Sequence, residues 1–234
     1  MRAELRVVDD PAAAAAELLA EAAGKGGHVV ITGGSTPRAA YERVSGLLDD
    51  WSAVELWFSD ERCVPPEREH SNYGMVKAAL LDRIEGRAPG VHRMKGELGP
   101  HEGADNYEEE LAAAGFGESL PVFDLMLLGL GPDAHVCSLF PNEPALGECE
   151  RRVVGVETPG MAPLVSRITL TLPVVNAARR IVVLVTGEDK ADAVRRAFSG
   201  APDPSAPGSL VRPESGSLEL LLDPAAASLL EGVV

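Results

Sequence analysis

Short apolar runs alternate with stretches of helical spacing along the chain, and this alternation predicts strand–turn–helix units repeated from end to end. Residues 4–8 read as a first strand. Asp10-Pro11 then opens an alanine-rich helix, with Asp as its N-cap and Pro in its first turn. The apolar run His28–Thr32 ends in Gly33-Gly34-Ser35-Thr36-Pro37, and Arg38–Leu48 follows with helical spacing. Val54–Ser59 reads as another strand, and Ser71-Asn72 caps a helix through Met75, Leu80 and Leu81. A helix near Gly103–Ala114 leads to Phe123–Leu130, a continuous apolar run of the kind buried on both faces of a parallel sheet. Ile168–Leu172 and Ile181–Thr186 read as strands. Gly187–Phe198 reads as a helix with acids in its first turn and arginines in its last, which suits the helix dipole. A Pro-, Gly- and Ser-rich loop over 199–216 precedes a last strand, Leu218–Leu222, and a last helix, Pro224–Leu230.

Strands alternating with helices predict an α/β fold, a doubly wound, mostly parallel sheet with helices on both faces. No repeat or break in composition divides the sequence, so residues 1–234 are expected to form a single domain. At 45% hydrophobic residues the chain can bury a substantial core, and with 4% aromatics that core must rest on aliphatic side chains. No apolar run approaches the roughly 20 residues that span a bilayer, so no membrane partner is expected. The opening MRAELRVVDD turns acidic too soon for a secretory signal. Cys63, Cys137 and Cys149 have no paired spacing, which predicts neither a disulfide framework nor a zinc site and points to a reducing cytoplasm.

The net charge of −15 changes the picture more. Such a surface repels nucleic acid, which needs clustered Lys and Arg. It repels any phosphorylated metabolite too, so a phosphate site must be a local basic pocket set against the overall field. Ligands of open parallel sheets gather where strands end, and four such places carry candidate chemistry. Thr32-Gly33-Gly34-Ser35-Thr36-Pro37 offers close backbone approach, hydroxyls and a helix start suited to an anion; it reads equally as a capped turn. Ser59-Asp60-Glu61-Arg62 is either a surface ion cluster or a site in which Arg62 clamps a phosphate beside Asp60. Gly129-Leu130-Gly131-Pro132-Asp133-Ala134-His135 contains a literal G-x-G-x-x-A, but its mid-chain place and Pro132 and Pro141 argue against dinucleotide binding. There His135 beside Asp133 is the feature of interest. Thr186-Gly187-Glu188-Asp189-Lys190 puts a cation where a helix dipole disfavours one, a hint that an anion is expected. No G-x-S-x-G elbow, H-E-x-x-H or Cys/His cluster occurs, so neither a serine hydrolase nor a zinc enzyme is indicated.

Taken together, ITGGSTPRAAY, WFSDERCVP with HSNYGMVK after it, FDLMLLGLGPDAHVCSLFP, SRITLTLPVVNAARRIVVLVTGEDKADAV and LLLDPAAASLL resemble the 6-phosphogluconolactonase family, within the wider group of sugar-phosphate isomerase-like folds. The resemblance runs through nearly the whole chain. It implies hydrolysis of a sugar-phosphate lactone without metal or cofactor, with His135 as general base and Arg62 and Lys190 holding the phosphate. It also implies that Gly33, Gly34, Ser35 and Thr36 line the same pocket, that Arg167 adds a cation, and that Asp60 corresponds to an acid used as a base in related deaminases. Asp133 or Asp60 is then expected to orient the imidazole, whose ordinary pKa near 6.5 suits both taking and returning a proton. The small-molecule lactone is the only partner implied, with the protein a monomer or small homo-oligomer. Relatives usually read Asp-Gly-His where this chain has Asp133-Ala134-His135; a positive φ there would cost alanine about 1 kcal/mol and a negative φ nothing, and with every other motif intact a negative φ and a harmless change are expected. Two other readings remain, a glucosamine-6-phosphate deaminase and a sugar-phosphate sensor without catalysis. Ser138-Leu139-Phe140-Pro141 favours the lactonase over the deaminase.

Overall fold

The computed structural model describes residues 3–230. Asp10 caps the first helix as its sequence requires, its carboxylate accepting from the Ala13 amide at 3.1 Å, and Gly26 at φ 74° ends it. The strands in chain order are β1 (Glu4–Val7), β2 (Gly27–Ile31), β3 (Val54–Phe58), β4 (Asp60–Arg62), β5 (Gly90–His92), β6 (Leu125–Leu128), β7 (Val153–Val156), β8 (Arg167–Leu170), β9 (Arg180–Val185) and β10 (Ser217–Leu222). The helices are α1 (Pro11–Lys25), α2 (Ser35–Val44), α3 (Asn72–Ala79), α4 (Pro100–Leu111), α5 (Leu172–Ala177) and α6 (Ala191–Phe198).

Seven strands form one sheet in the order β1-β10-β9-β6-β2-β3-β5, every neighbouring pair parallel. The chain adopts the expected doubly wound α/β architecture. Its central strands are apolar on both faces: Val30, Ile31, Leu56, Trp57, Met126, Leu128, Val182, Val183, Leu220 and Leu221 are all buried. After β2 the chain builds outward through β3 to β5, whereas after β6 it builds the other way through β9 to β10. Loops leaving β2 and β6 therefore part in opposite directions and leave a crevice between them, where such sheets bind ligands.

A second sheet, β4-β8-β7, is antiparallel and carries the run predicted as a strand at Ile168–Leu172. An apolar run identifies a strand but not the sheet it joins. The predicted helix over Pro224–Leu230 is instead a series of turns. Ala227, Ser228 and Leu230 make backbone bonds of mixed reach, and the Asp223 side chain takes the Ala226 amide at 2.7 Å. The sequence pattern does not predict strands β4, β5 and β7 or helix α5. Four more boundaries shift. Helix α2 starts at Ser35 rather than Arg38, α4 starts at Pro100, β6 is shorter than the apolar run 123–130, and a 3₁₀ turn at Glu188–Lys190 precedes α6.

Candidate active site

The end of β2 is fixed by Tyr41, a buried residue of α2. Its hydroxyl donates to the Thr32 carbonyl at 2.8 Å and accepts from the Thr32 amide at 3.0 Å. The chain must then pass Asn72 so closely that a Cβ at position 33 would collide with the Asn72 amide group, which is why Gly33 stands there. Helix α2 begins without a side-chain cap, leaving its first amides open toward the crevice. Across from it, the Thr36 and Thr186 hydroxyls meet at 2.7 Å and join the turn after β2 to the turn after β9.

The loop after β6 carries His135. A backbone turn closes it, Gly131 N–H donating to the His135 carbonyl and Ala134 N–H to the Gly131 carbonyl, both at 2.9 Å. The imidazole lies against Gly131, where a Cβ would strike Nδ1. His135 Nδ1 is 2.5 Å from Asp133 Oδ1, so Nδ1 carries the proton and the neutral ring presents Nε2 as its basic nitrogen. Burial pushes the Asp133 carboxyl up, but the hydrogen bond and charge of His135 outweigh it, and the acid sits below its usual range. Ala134 has φ 67°, the left-handed region, so the condition for a harmless alanine is not met and the residue carries local strain. Three residues on from His135, Ser138 pins the loop: its hydroxyl donates to Asp60 Oδ2 at 2.7 Å and its amide to Thr169 Oγ1 at 3.1 Å.

Alternation along β4 sends Asp60 and Arg62 to one side. Asp60 is nearly buried and also accepts from the Ser59 hydroxyl at 3.1 Å and the Asn72 side-chain amide at 3.3 Å. It makes no bond to His135, so of the two acids expected to orient the imidazole, Asp133 is the one in contact. Arg62 stands opposite Arg167 in the antiparallel register of β4 and β8. Arg62 donates through Nη1 to the His70 carbonyl at 2.8 Å, while its buried Nε has no partner. Arg167 donates to the Val165 and Pro163 carbonyls at 3.0 and 2.9 Å. Burial first, and Arg62 beside it second, lower the Arg167 pKa. Lys190 bonds only the Leu130 carbonyl, at 3.1 Å, and burial lowers its ammonium pKa against the pull of Asp189 and Asp133.

A cleft of about 360 Å³ brings these groups together; Gly33, Gly34, Ser35, Thr36, Asp60, Arg62, His135, Arg167 and Lys190 all line it. Asp133 does not; it stands behind the imidazole. Arg93, Arg152 and Arg180 each meet a carboxylate elsewhere in this acidic chain, whereas among the described residues Arg62, Arg167 and Lys190 form no ion pair. Three cations that form no ion pair thus line one hollow beside the carboxylates of Asp60 and Asp189, an arrangement that can accept a polyvalent anion. Among the described residues no cluster of three or more His, Cys, Asp or Glu side chains is placed to hold a metal. Thr186 belongs to a loop singled out from the sequence, whereas Asn72 and Ser138 are not evident there as site residues. Asn72 and Ser138 act through tertiary partners 12 and 78 residues away, which no local pattern reports.

The family model described as glucosamine-6-phosphate isomerases/6-phosphogluconolactonase matches residues 4–220. A 6-phosphogluconolactonase of Streptomyces coelicolor is 41% identical, covering 93% of this chain and 89% of that protein. Among solved structures, a 6-phosphogluconolactonase from Trypanosoma cruzi superposes with a TM-score of 0.84 at 28% identity, covering 98% of this chain and 97% of that one. A monomeric glucosamine-6-phosphate deaminase, 18% identical with a TM-score of 0.80 over 98% of this chain and 100% of that one, shares the fold.

Proposed function

The chain belongs to the glucosamine-6-phosphate isomerase/6-phosphogluconolactonase family, and from that premise we propose that it hydrolyses 6-phospho-D-glucono-1,5-lactone to 6-phospho-D-gluconate. One observation carries the reading: a carboxylate-held imidazole shares a cleft with three cations that form no ion pair among the described residues. The cations suit the phosphate, and the imidazole suits the ester at the other end of the same small molecule.

In this scheme Arg62 and Lys190 grip the phosphate, with Arg167 adding charge behind Arg62. The amides of Ser35 and Thr36 at the open start of α2 add donors for an anionic part of the ligand. Anchoring the remote phosphate fixes the lactone carbonyl over His135, a positioning effect. His135 Nε2 takes a proton from water as the water oxygen bonds to C1, and the carbonyl electrons move onto its oxygen. The tetrahedral intermediate then collapses, the C1–ring-oxygen bond breaks, and the imidazolium returns the proton to the departing oxygen. Asp133 holds the tautomer and stabilises the imidazolium, and such acid–base help is worth about 10²–10⁴ in rate. Asp60 ties β4 to the loop of His135 through Ser138.

The ligand is a small phosphorylated lactone, and the place of action that fits it is the cytoplasm. Generating the lactone in situ and measuring acid release above the spontaneous rate tests the proposal. Release that rises with protein concentration supports it, and release at the spontaneous rate overturns it.

A further inference from the structure

Glu61 lies between the two site residues of β4, yet alternation turns its side chain away from the cleft and into the protein, where it is 2% exposed. Burying a carboxylate is unfavourable unless hydrogen bonds replace its water. Here four do. Oε1 accepts from the amides of Arg62 and Asn72, both at 2.7 Å. Oε2 accepts from the Tyr73 amide at 2.7 Å and the Ser71 hydroxyl at 3.0 Å. Burial pushes this carboxyl above its ordinary range, and the four donors pull it part of the way back. Asn72 and Tyr73 open α3, so two of those amides have no acceptor within their own helix, and a negative charge there meets the favourable end of its dipole.

The partners matter more than their number. Arg62 carries the cation with an unpartnered buried Nε, and Asn72 supplies the side chain that holds Asp60 through both its carbonyl, at 2.9 Å, and its carboxylate. A single buried charge thus clamps the backbone of the anion-binding strand to the helix that fixes the neighbouring acid. A glutamine of the same shape offers one acceptor oxygen in place of two and turns an NH₂ toward amide donors.

We infer that Glu61 is the positioning residue of the phosphate-binding side of the cleft, setting Arg62 through the shared Glu61–Asn72 clamp. The inference deepens the lactonase reading and rests on it for substrate. Glu61→Gln is expected to raise KM for the phosphorylated lactone roughly tenfold, the scale of one lost charge-assisted hydrogen bond, with kcat changed less than about threefold. Hydrolysis of unphosphorylated glucono-1,5-lactone, which reads only what reaches His135 through Asn72, Asp60 and Ser138, should fall by a much smaller factor than kcat/KM for the phosphorylated lactone. In an Arg62→Ala background Glu61→Gln should add little, because two residues acting through one contact are not additive. Equal losses on both lactones, or full additivity with Arg62→Ala, would reduce Glu61 to a general structural role and overturn the inference. Should Glu61→Gln not fold, Ser71→Ala removes one of the four donors and should shift KM in the same direction; an unmoved KM there overturns it also. Inorganic phosphate binding by calorimetry separates the two ideas. If wild type binds phosphate without hydrolysing the lactone, the enzymatic reading fails, and Glu61 is then judged by whether Glu61→Gln weakens that binding.

Discussion

Arg62→Met should make the protein more stable and a worse binder at the same time. Methionine keeps the apolar stem but removes a buried Nε that has no hydrogen-bond partner, a group whose burial costs about 1–3 kcal/mol. It also removes the like charge that faces Arg167 across the β4–β8 pairing. The loss on the other side is one hydrogen bond from the guanidinium to the His70 carbonyl, which is exposed, so that water competes for both partners and screening brings its worth down to about 1 kcal/mol. The balance favours the variant by roughly 1 kcal/mol, a rise in Tm of about 2–4 °C for a chain of this size. Binding moves the opposite way, because a hydrogen bond to a charged group contributes about 1.5–3 kcal/mol, so KM should rise roughly 10- to 150-fold. Thermal unfolding in a buffer free of multivalent anions reads the first effect, and steady-state kinetics on the phosphorylated lactone reads the second. Inorganic phosphate supplies an internal control. At about a hundred times Kd it should stabilise wild type by about 2.7 kcal/mol and the variant far less, reversing their order. A variant less stable than wild type without anions, with KM unmoved, would refute the idea that Arg62 is held unsatisfied for a ligand.

His135→Ala should lower kcat by about 10²–10⁴ with KM nearly unchanged, measured by acid release. Asp133→Asn should lower kcat through loss of the tautomer that exposes Nε2, and it should also alter acid stability. The Asp133 carboxyl is held below its ordinary pKa, so its stabilisation is complete above the unfolded value near 3.8 and is lost as pH falls through the lower folded value. Denaturation followed at successive pH values should show a shallower acid limb in the variant. Ala134→Gly should shift stability by less than about 1 kcal/mol, since relief of the left-handed alanine offsets a looser unfolded chain and one lost buried methyl. Ala134→Val should lose about 2 kcal/mol or more at the same φ in urea titrations.

The sheet is legible in the sequence because its strands are buried on both faces, and uninterrupted apolar runs such as Ile181–Val185 have few other destinations. The same logic locates the cleft, since glycine-rich or charged loops at strand ends have to meet at the reversal of strand order between β2 and β6. The strands β4, β5 and β7 are not legible. Asp60–Arg62 carries a polar sequence with no apolar alternation, and it becomes a strand through its register with β8. The Pro224–Leu230 segment has helical composition, but the Asp223 side chain takes the Gly187 and Ala226 amides and ends the chain's last strand in turns. At the cleft, the charged and glycine-rich groups that line it announce themselves by type and position. Their supports do not: Asn72 looks like an ordinary helix start, Ser138 an idle hydroxyl, and Glu61 one more surface charge. What distinguishes them is the partner each finds across the fold. Ala134 is the reverse case, where the sequence raises the right question and only φ can answer it.

The central claim is that cations anchored in an acidic protein seat a phosphate so that one imidazole can direct water at a distant ester. Comparing kcat/KM of wild type on the phosphorylated and unphosphorylated lactones tests it most directly. A preference of about 10³ or more for the phosphorylated lactone is predicted, the worth of two or more charge-assisted contacts. Equal turnover of the two would contradict it.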